Sequence, residues 1–99
     1  MRRAILVLHR KRLYDDGWIA EMKLWLLPEP VRGSRHPFKY SLFYGRPHVR
    51  LIGYDNEAGK GDHRHYGGKE RAYAFTGPDE LIAAFQADIA RWNRENSHS

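Results

Sequence analysis

Ala4-Ile5-Leu6-Val7-Leu8-His9-Arg10-Lys11-Arg12-Leu13-Tyr14-Asp15-Asp16-Gly17-Trp18-Ile19-Ala20-Glu21-Met22-Lys23-Leu24-Trp25-Leu26-Leu27 decides the fold. Two runs of β-branched, aromatic and long aliphatic residues flank Asp16-Gly17, the dipeptide that a type I′ hairpin turn favours. The reading is a long β-hairpin, with Ala4 to Tyr14 as one strand and Trp18 to Leu27 as the other. A two-residue turn sets Leu13 opposite Ala20, Leu8 opposite Trp25, Val7 opposite Leu26 and Arg12 opposite Glu21. Apolar residues of both parities at Leu6 to Leu8 and Leu24 to Leu27 place that end centrally in the sheet, covered on both sides. Pro28 and Pro30 then stop the strand, and Val31 to Pro37 reads as a basic loop.

Working outward, Phe38 to Tyr44 and His48 to Tyr54 form a second hairpin. A Gly45-Arg46 turn aligns Phe38, Tyr40, Leu42, Val49 and Leu51 on one face and Lys39, Ser41, Phe43, His48, Arg50 and Ile52 on the other. That second face, bases mixed with an aromatic ring, suits RNA, and it equally suits an ordinary solvated sheet face. Asp55 to Lys69 carries Gly59, Gly61, Gly67 and Gly68 among alternating acids and bases with no apolar periodicity. It reads as a loop, and loops of that length in so small a chain are usually functional. Arg71 to Phe75 is a short strand. Thr76 then caps a helix that Pro78 and Asp79 begin. Leu81, Ile82, Phe85, Ile89 and Trp92 make one apolar stripe to about Glu95. Residues 96–99 read as a frayed tail.

The fold expected is therefore a single α+β domain over 1–99, an antiparallel sheet of about five strands built from two hairpins, with one C-terminal helix packed on one face. A chain of 99 residues buries one small core, roughly 60% of its unfolded surface. Its 41% hydrophobic and 13% aromatic content supports folding despite a mean hydropathy of -0.75. No cysteine occurs, which excludes a disulfide framework, a thiolate zinc site and a cysteine nucleophile, and accords with a reducing cytoplasm. No apolar run spans a bilayer and no signal peptide is read. The net charge of +5 is segregated: residues 1–14 and 31–50 each hold five Lys or Arg and no acid. Arg10, Lys11, Arg12, Lys39, Arg46 and Arg50 are expected to form a surface for RNA or an acidic partner segment.

The chemistry concentrates in Gly53-Tyr54-Asp55-Asn56-Glu57-Ala58-Gly59-Lys60-Gly61-Asp62-His63-Arg64-His65-Tyr66-Gly67-Gly68-Lys69-Glu70. With Phe38-Lys39-Tyr40 upstream and Tyr73-Ala74-Phe75 downstream, this stretch resembles the TumE family of small toxins from prokaryotic toxin-antitoxin systems. The resemblance runs from about Trp18 to the C-terminal helix. It rests on Tyr54-Asp55-Asn56, on Gly59 to His65 and on the glycines that follow. The first fourteen residues lie outside it, and Ala72 stands where relatives often carry Pro-Tyr. The resemblance implies a toxin neutralised by a helix-turn-helix-type antitoxin, with RNA as its target.

Read from the residues alone, the same segment fits metal-free RNA cleavage. Such cleavage needs a base for the 2′-hydroxyl proton, an acid for the leaving 5′-oxygen and cations on the phosphate. His63 and His65 are the candidates for proton transfer. Lys60 and Arg64 would meet phosphate, Asp62 or Asp55 would orient a histidine, and Tyr54 or Tyr73 would stack or move a proton. In an extended segment His63 and His65 point to one side with Arg64 opposite, which assigns chemistry to one histidine and structure to the other. The same spacing suits a divalent metal with Asp55, Asp62 or Glu70 as third ligand, but the expectation is no metal and no cofactor. Two further readings stay open, a non-catalytic RNA-binding protein and a protein-interaction module. His9, His36, His48 and His98 are read as structural.

Overall fold

The computed structural model describes residues 3–96. Six strands run in sequence order across one antiparallel sheet: β1 (Ile5–Leu13), β2 (Ile19–Leu26), β3 (Phe38–Arg46), β4 (Val49–Glu57), β5 (Gly61–Tyr66) and β6 (Lys69–Ala72). One helix, α1 (Pro78–Glu95), follows and packs on one side of the sheet. The α+β class stands, with six strands rather than five. The additional strand, β5, comes from the segment expected to be a loop, and it pairs around a Gly67-Gly68 turn with β6, which starts two residues before the strand expected over Arg71 to Phe75 and ends at Ala72. Gly67 alone of that pair has positive φ, the type II′ pattern that glycine in the first central position permits.

The first hairpin forms, one residue out of the expected register. Tyr14 N–H donates to Trp18 C=O at 2.9 Å and Gly17 N–H to Tyr14 C=O at 3.0 Å, closing a three-residue loop with Gly17 at φ +87. This is the turn that ends in a left-handed glycine bulge, not the two-residue type I′. Arg12 therefore pairs with Ala20 and Lys11 with Glu21, and a bulge between Leu6 and Leu8 shifts the register by one more residue, setting Leu6 opposite Trp25. β1 is an edge strand, not central: Ile5, Leu6 and Val7 are 60%, 54% and 52% exposed.

The second hairpin turns at Pro47-His48, with Arg46 opposite Val49 and His48 in the left-handed region at φ +67. A bulge beside Gly45 changes the parity of β4, so Ile52, Tyr54 and Asn56 join Tyr40, Leu42 and Tyr44 on one side. Val49 is left half exposed and Ile52 is fully buried, the reverse of the expected faces. Gly45 is required here, because a Cβ would stand 2.0 Å from Val49 C=O.

Leu24, Tyr40, Leu42, Tyr44, Ile52 and Tyr54 from the sheet meet Leu81 and Phe85 from α1, with Ile89 and Trp92 packed alongside. The helical stripe is as expected, except that Asp88 lies within it and is 8% exposed. Gly77, not Thr76, is the N-cap, and Leu81 N–H bonds its carbonyl at 3.0 Å. Asn96 closes the helix by bonding Trp92 C=O through both backbone and side chain, so it is a cap rather than part of a frayed tail; residues 97–99, with His98, lie outside the described residues. Among the described residues no helix is long and apolar enough to cross a membrane.

Candidate functional site

Strand pleat divides the dense segment between two sides of the sheet. Ladder pairs Asn56↔Asp62, Tyr54↔Arg64 and Ile52↔Tyr66 put Asp62, Arg64 and Tyr66 on the helix side; Asp55↔His63 and Gly53↔His65 put both histidines on the open side.

On the helix side Asp62, Arg64 and Tyr66 are each held by the fold. Arg64 donates through Nε and Nη2 to both Asp88 oxygens, at 2.8 and 2.7 Å, and Tyr54 OH donates to the same carboxylate at 2.5 Å. Burial and then the Asp88 bond push the Tyr54 phenol well above its ordinary range, so this tyrosine stays protonated. A second cluster gathers on Asp62, which accepts from Tyr40 OH at 2.6 Å and from His36 Nε2 at 2.7 Å. His36 Nδ1 accepts from Phe38 N–H at 3.2 Å, which fixes one tautomer, and the ring stacks on Phe75 at 3.9 Å. Asn56, fully buried, bridges the Tyr40 N–H and the Phe38 C=O at 3.0 and 2.7 Å. Tyr73 lies on this side as well, edge-on to Tyr54 with ring centres 5.0 Å apart. Its pKa is raised by burial and then by the charge on Asp62.

On the open side Arg50 lies across Gly53, where a Cβ would come within 2.7 Å of Arg50 Cδ. From there Arg50 Nη2 donates to His65 Nδ1 at 3.0 Å, and Nη1 lies 3.7 Å from Asp55. His65 is held below its ordinary pKa by burial and then by this guanidinium. His63 is engaged at both nitrogens, with Nε2 2.8 Å from Lys60 C=O and Nδ1 3.3 Å from Glu70. Lys60 itself sits exposed in the β4–β5 turn, 3.6 Å from Glu57. Phe43 and Ser41 continue the rows that contain Gly53 and Asp55.

The structure thus brings His63, His65, Asp55, Arg50 and the Lys60 backbone together, and separates them from Asp62, Arg64, Tyr54 and Tyr73. Asp62 orients His36 rather than either histidine of the pair, and Arg64 is committed to Asp88. The basic set divides as well. Lys11 and Lys39 share the open side with Arg50, and Lys39 Nζ also donates to Asn56 C=O. Arg10 and Arg12 pair with Met22 and Ala20 on the other side; Arg12 lies over Tyr14 at 5.0 Å and Arg46 over Trp18 at 4.6 Å. His9 bonds Glu21 at 2.9 Å. Among the described residues no three His, Asp or Glu converge closely enough to hold a metal ion.

Sequence reasoning missed two residues here. Asp88 had a signal, an acid inside an apolar helical stripe. His36 had none, because its partner lies 26 residues away.

Comparison with curated proteins and with solved structures returned no match. A family model described as Toxin TumE matches residues 3–93, a span that includes the basic first strand, both histidines and the helix carrying Asp88. The chain belongs to the TumE family of toxins.

Proposed function

We propose that this toxin is an endoribonuclease that cleaves mRNA or another RNA of the translation machinery by metal-independent acid–base chemistry on the open side of its sheet. The toxin role follows from family membership, which also implies an antitoxin partner. RNA as target, the cytoplasm as place of action and a helix-turn-helix antitoxin belong to the proposal.

The observation that carries the reading is the 3.0 Å contact from Arg50 Nη2 to His65 Nδ1. A guanidinium only donates, so His65 accepts with Nδ1 and keeps its proton on Nε2. The lowered pKa keeps the ring neutral near neutral pH. A phosphodiester that draws the guanidinium into a bidentate pair frees the Nδ1 lone pair beside it. His65 Nδ1 then takes the 2′-hydroxyl proton, the 2′-oxygen attacks phosphorus and the bond to the 5′-oxygen breaks. The departing oxygen takes its proton from His63, two residues and about 7 Å along the same side of β5, so this reading gives both histidines a chemical role and departs from the expected division into one chemical and one structural residue. A His63 ring protonated on both nitrogens satisfies both of its acceptors, Lys60 C=O and Glu70. Lys39, Lys11 and Phe43 supply phosphate contact and a stacking surface on the same side.

Purified protein should cut a defined RNA in EDTA, leave 2′,3′-cyclic phosphate and 5′-hydroxyl ends, and show a bell-shaped dependence of rate on pH. Activity lost in EDTA and restored by Mn²⁺ or Zn²⁺ would overturn this mechanism. A second reading, RNA binding without cleavage, is favoured by the engagement of both histidines with protein groups. It expects bound RNA to be recovered intact and expects affinity and toxic effect to fall together in Arg50→Ala.

A further inference from the structure

A cleft of about 490 Å³ opens where the β5–β6 turn meets the last turns of α1, on the side of the sheet away from His63 and His65. Arg64, Lys69, Arg71 and Arg91 line it together with Tyr66 and Trp92, and among the described residues no carboxylate does. β6 places Lys69 opposite Tyr66 and Arg71 opposite Arg64, so the strand and the helix aim cations into one space.

The charges are not equivalent. Arg64 is held by both Asp88 oxygens, and Arg91 lies over the Tyr66 ring at 4.6 Å with its Nε 3.3 Å from Glu95. These two guanidinia are fixed in place and balanced by carboxylates behind them. The side chains of Lys69 and Arg71 have no hydrogen bond or ion pair among the described residues. Two uncompensated positive charges therefore face the cleft, the complement of a phosphate monoester, which carries roughly −1.5 to −2 at neutral pH. Gly67, at φ +61, brings the turn backbone against the indole, where a Cβ would lie 3.3 Å from Trp92 Cζ3. Trp92 is partly exposed and meets Tyr66 edge-on at 5.6 Å, which gives the cleft an aromatic wall on which a base stacks. An acidic peptide would match the charge but not the aromatic wall, and the volume lies within the range of small-molecule sites.

We propose that this cleft binds a phosphorylated ribonucleotide, with the phosphate between Lys69 and Arg71 and the base against Trp92. The ligand is a free nucleotide or the phosphorylated end of an RNA strand; only the second source rests on the RNA reading above. The test follows the tryptophan indole N–H signals of the ¹⁵N-labelled chain by NMR as nucleoside 5′-monophosphate or the parent nucleoside is added. The Trp92 signal should shift to saturation, with the monophosphate bound at least about tenfold more tightly than the nucleoside, as charge-assisted phosphate contacts require. Lys69→Ala combined with Arg71→Ala, both exposed positions, should weaken the monophosphate about tenfold or more. Tighter binding of a 5′-phosphorylated than of a 5′-hydroxyl oligoribonucleotide assigns the strand end; equal weak binding of both beside tight mononucleotide binding assigns the free nucleotide. A silent Trp92 signal, equal affinity for nucleoside and nucleotide, or a poly-glutamate peptide that saturates the cleft when the nucleotide does not would overturn the proposal. Cleavage does not enter the titration, so a chain that cuts no RNA still binds nucleotide here, whereas one that cuts RNA with this cleft silent refutes the site.

Discussion

β5 presents two regions of opposite character on its two sides. Asp62, Arg64 and Tyr66 face the helix side, where tyrosine, histidine and carboxylate partners absorb their charge and hydrogen-bonding capacity. His63 and His65, alternating with them, face the open side, where their partners are a half-exposed arginine, a turn carbonyl and an exposed glutamate. The difference shows that a dense cluster of chemistry-bearing residues need not be one site. Pleat sends alternate residues to the two sides, and under the proposed function a phosphate arriving on the open side claims Arg50 without disturbing the core.

The sharpest way to break this comparison is to remove Asp88. Asp88→Ala leaves the Arg64 guanidinium and the Tyr54 hydroxyl without their partner at a buried position. Loss of one member of a buried pair costs about 3–5 kcal/mol, enough to lower Tm by more than about 10 °C in a domain of this size. A thermal melt of the variant within about 2 °C of the parent would contradict the assignment of this side to stability. Asn56→Ala should be next in size. It removes the acceptor for the buried Tyr40 N–H and the donor for the part-buried Phe38 C=O, at about 2–3 kcal/mol in denaturant unfolding. An unchanged unfolding midpoint would show that water or a neighbour replaces the amide.

On the open side the expected stability changes are small and the electrostatic ones decisive. Arg50→Ala should raise the pKa of His65 toward its ordinary value, because it removes the guanidinium that opposes a second positive charge while leaving burial in place. The folded His65 titrates below its unfolded value. Its contribution to stability is therefore present above the unfolded pKa and fades as pH falls through the folded one. Arg50→Ala should flatten that acid-side dependence. NMR titration of the His65 ring reads the shift directly, and a pKa unchanged or lower in the variant would show that the guanidinium does not govern this ring.

The sheet and helix were legible because strand-forming runs flank Asp16-Gly17, because β3 alternates, and because the 3.6-residue stripe of α1 is a burial pattern that physics enforces. Register was less so. The loop after Tyr14 closes over three residues rather than two, and one residue moves Arg12 from Glu21 to Ala20. β5 gave no apolar alternation because its helix side is made of Asp62, Arg64 and Tyr66, which are held there by hydrogen bonding rather than by hydrophobicity. The two histidines were legible as a pair on one side of an extended segment, and their neighbours were not. Arg50 reaches His65 only because Gly53 leaves room, and Arg64 is withdrawn by an acid on a helix 24 residues away.

The most direct test of the account is the rate at which His65→Ala and His63→Ala, each compared with the parent in EDTA, cleave a defined RNA, with Tm measured on the same preparations. The account predicts a loss of about a hundredfold or more in rate for each variant, the scale of one general acid or base, with Tm and RNA affinity nearly unchanged. Full activity in both variants, with the fold intact, would contradict it and leave both histidines as parts of the sheet.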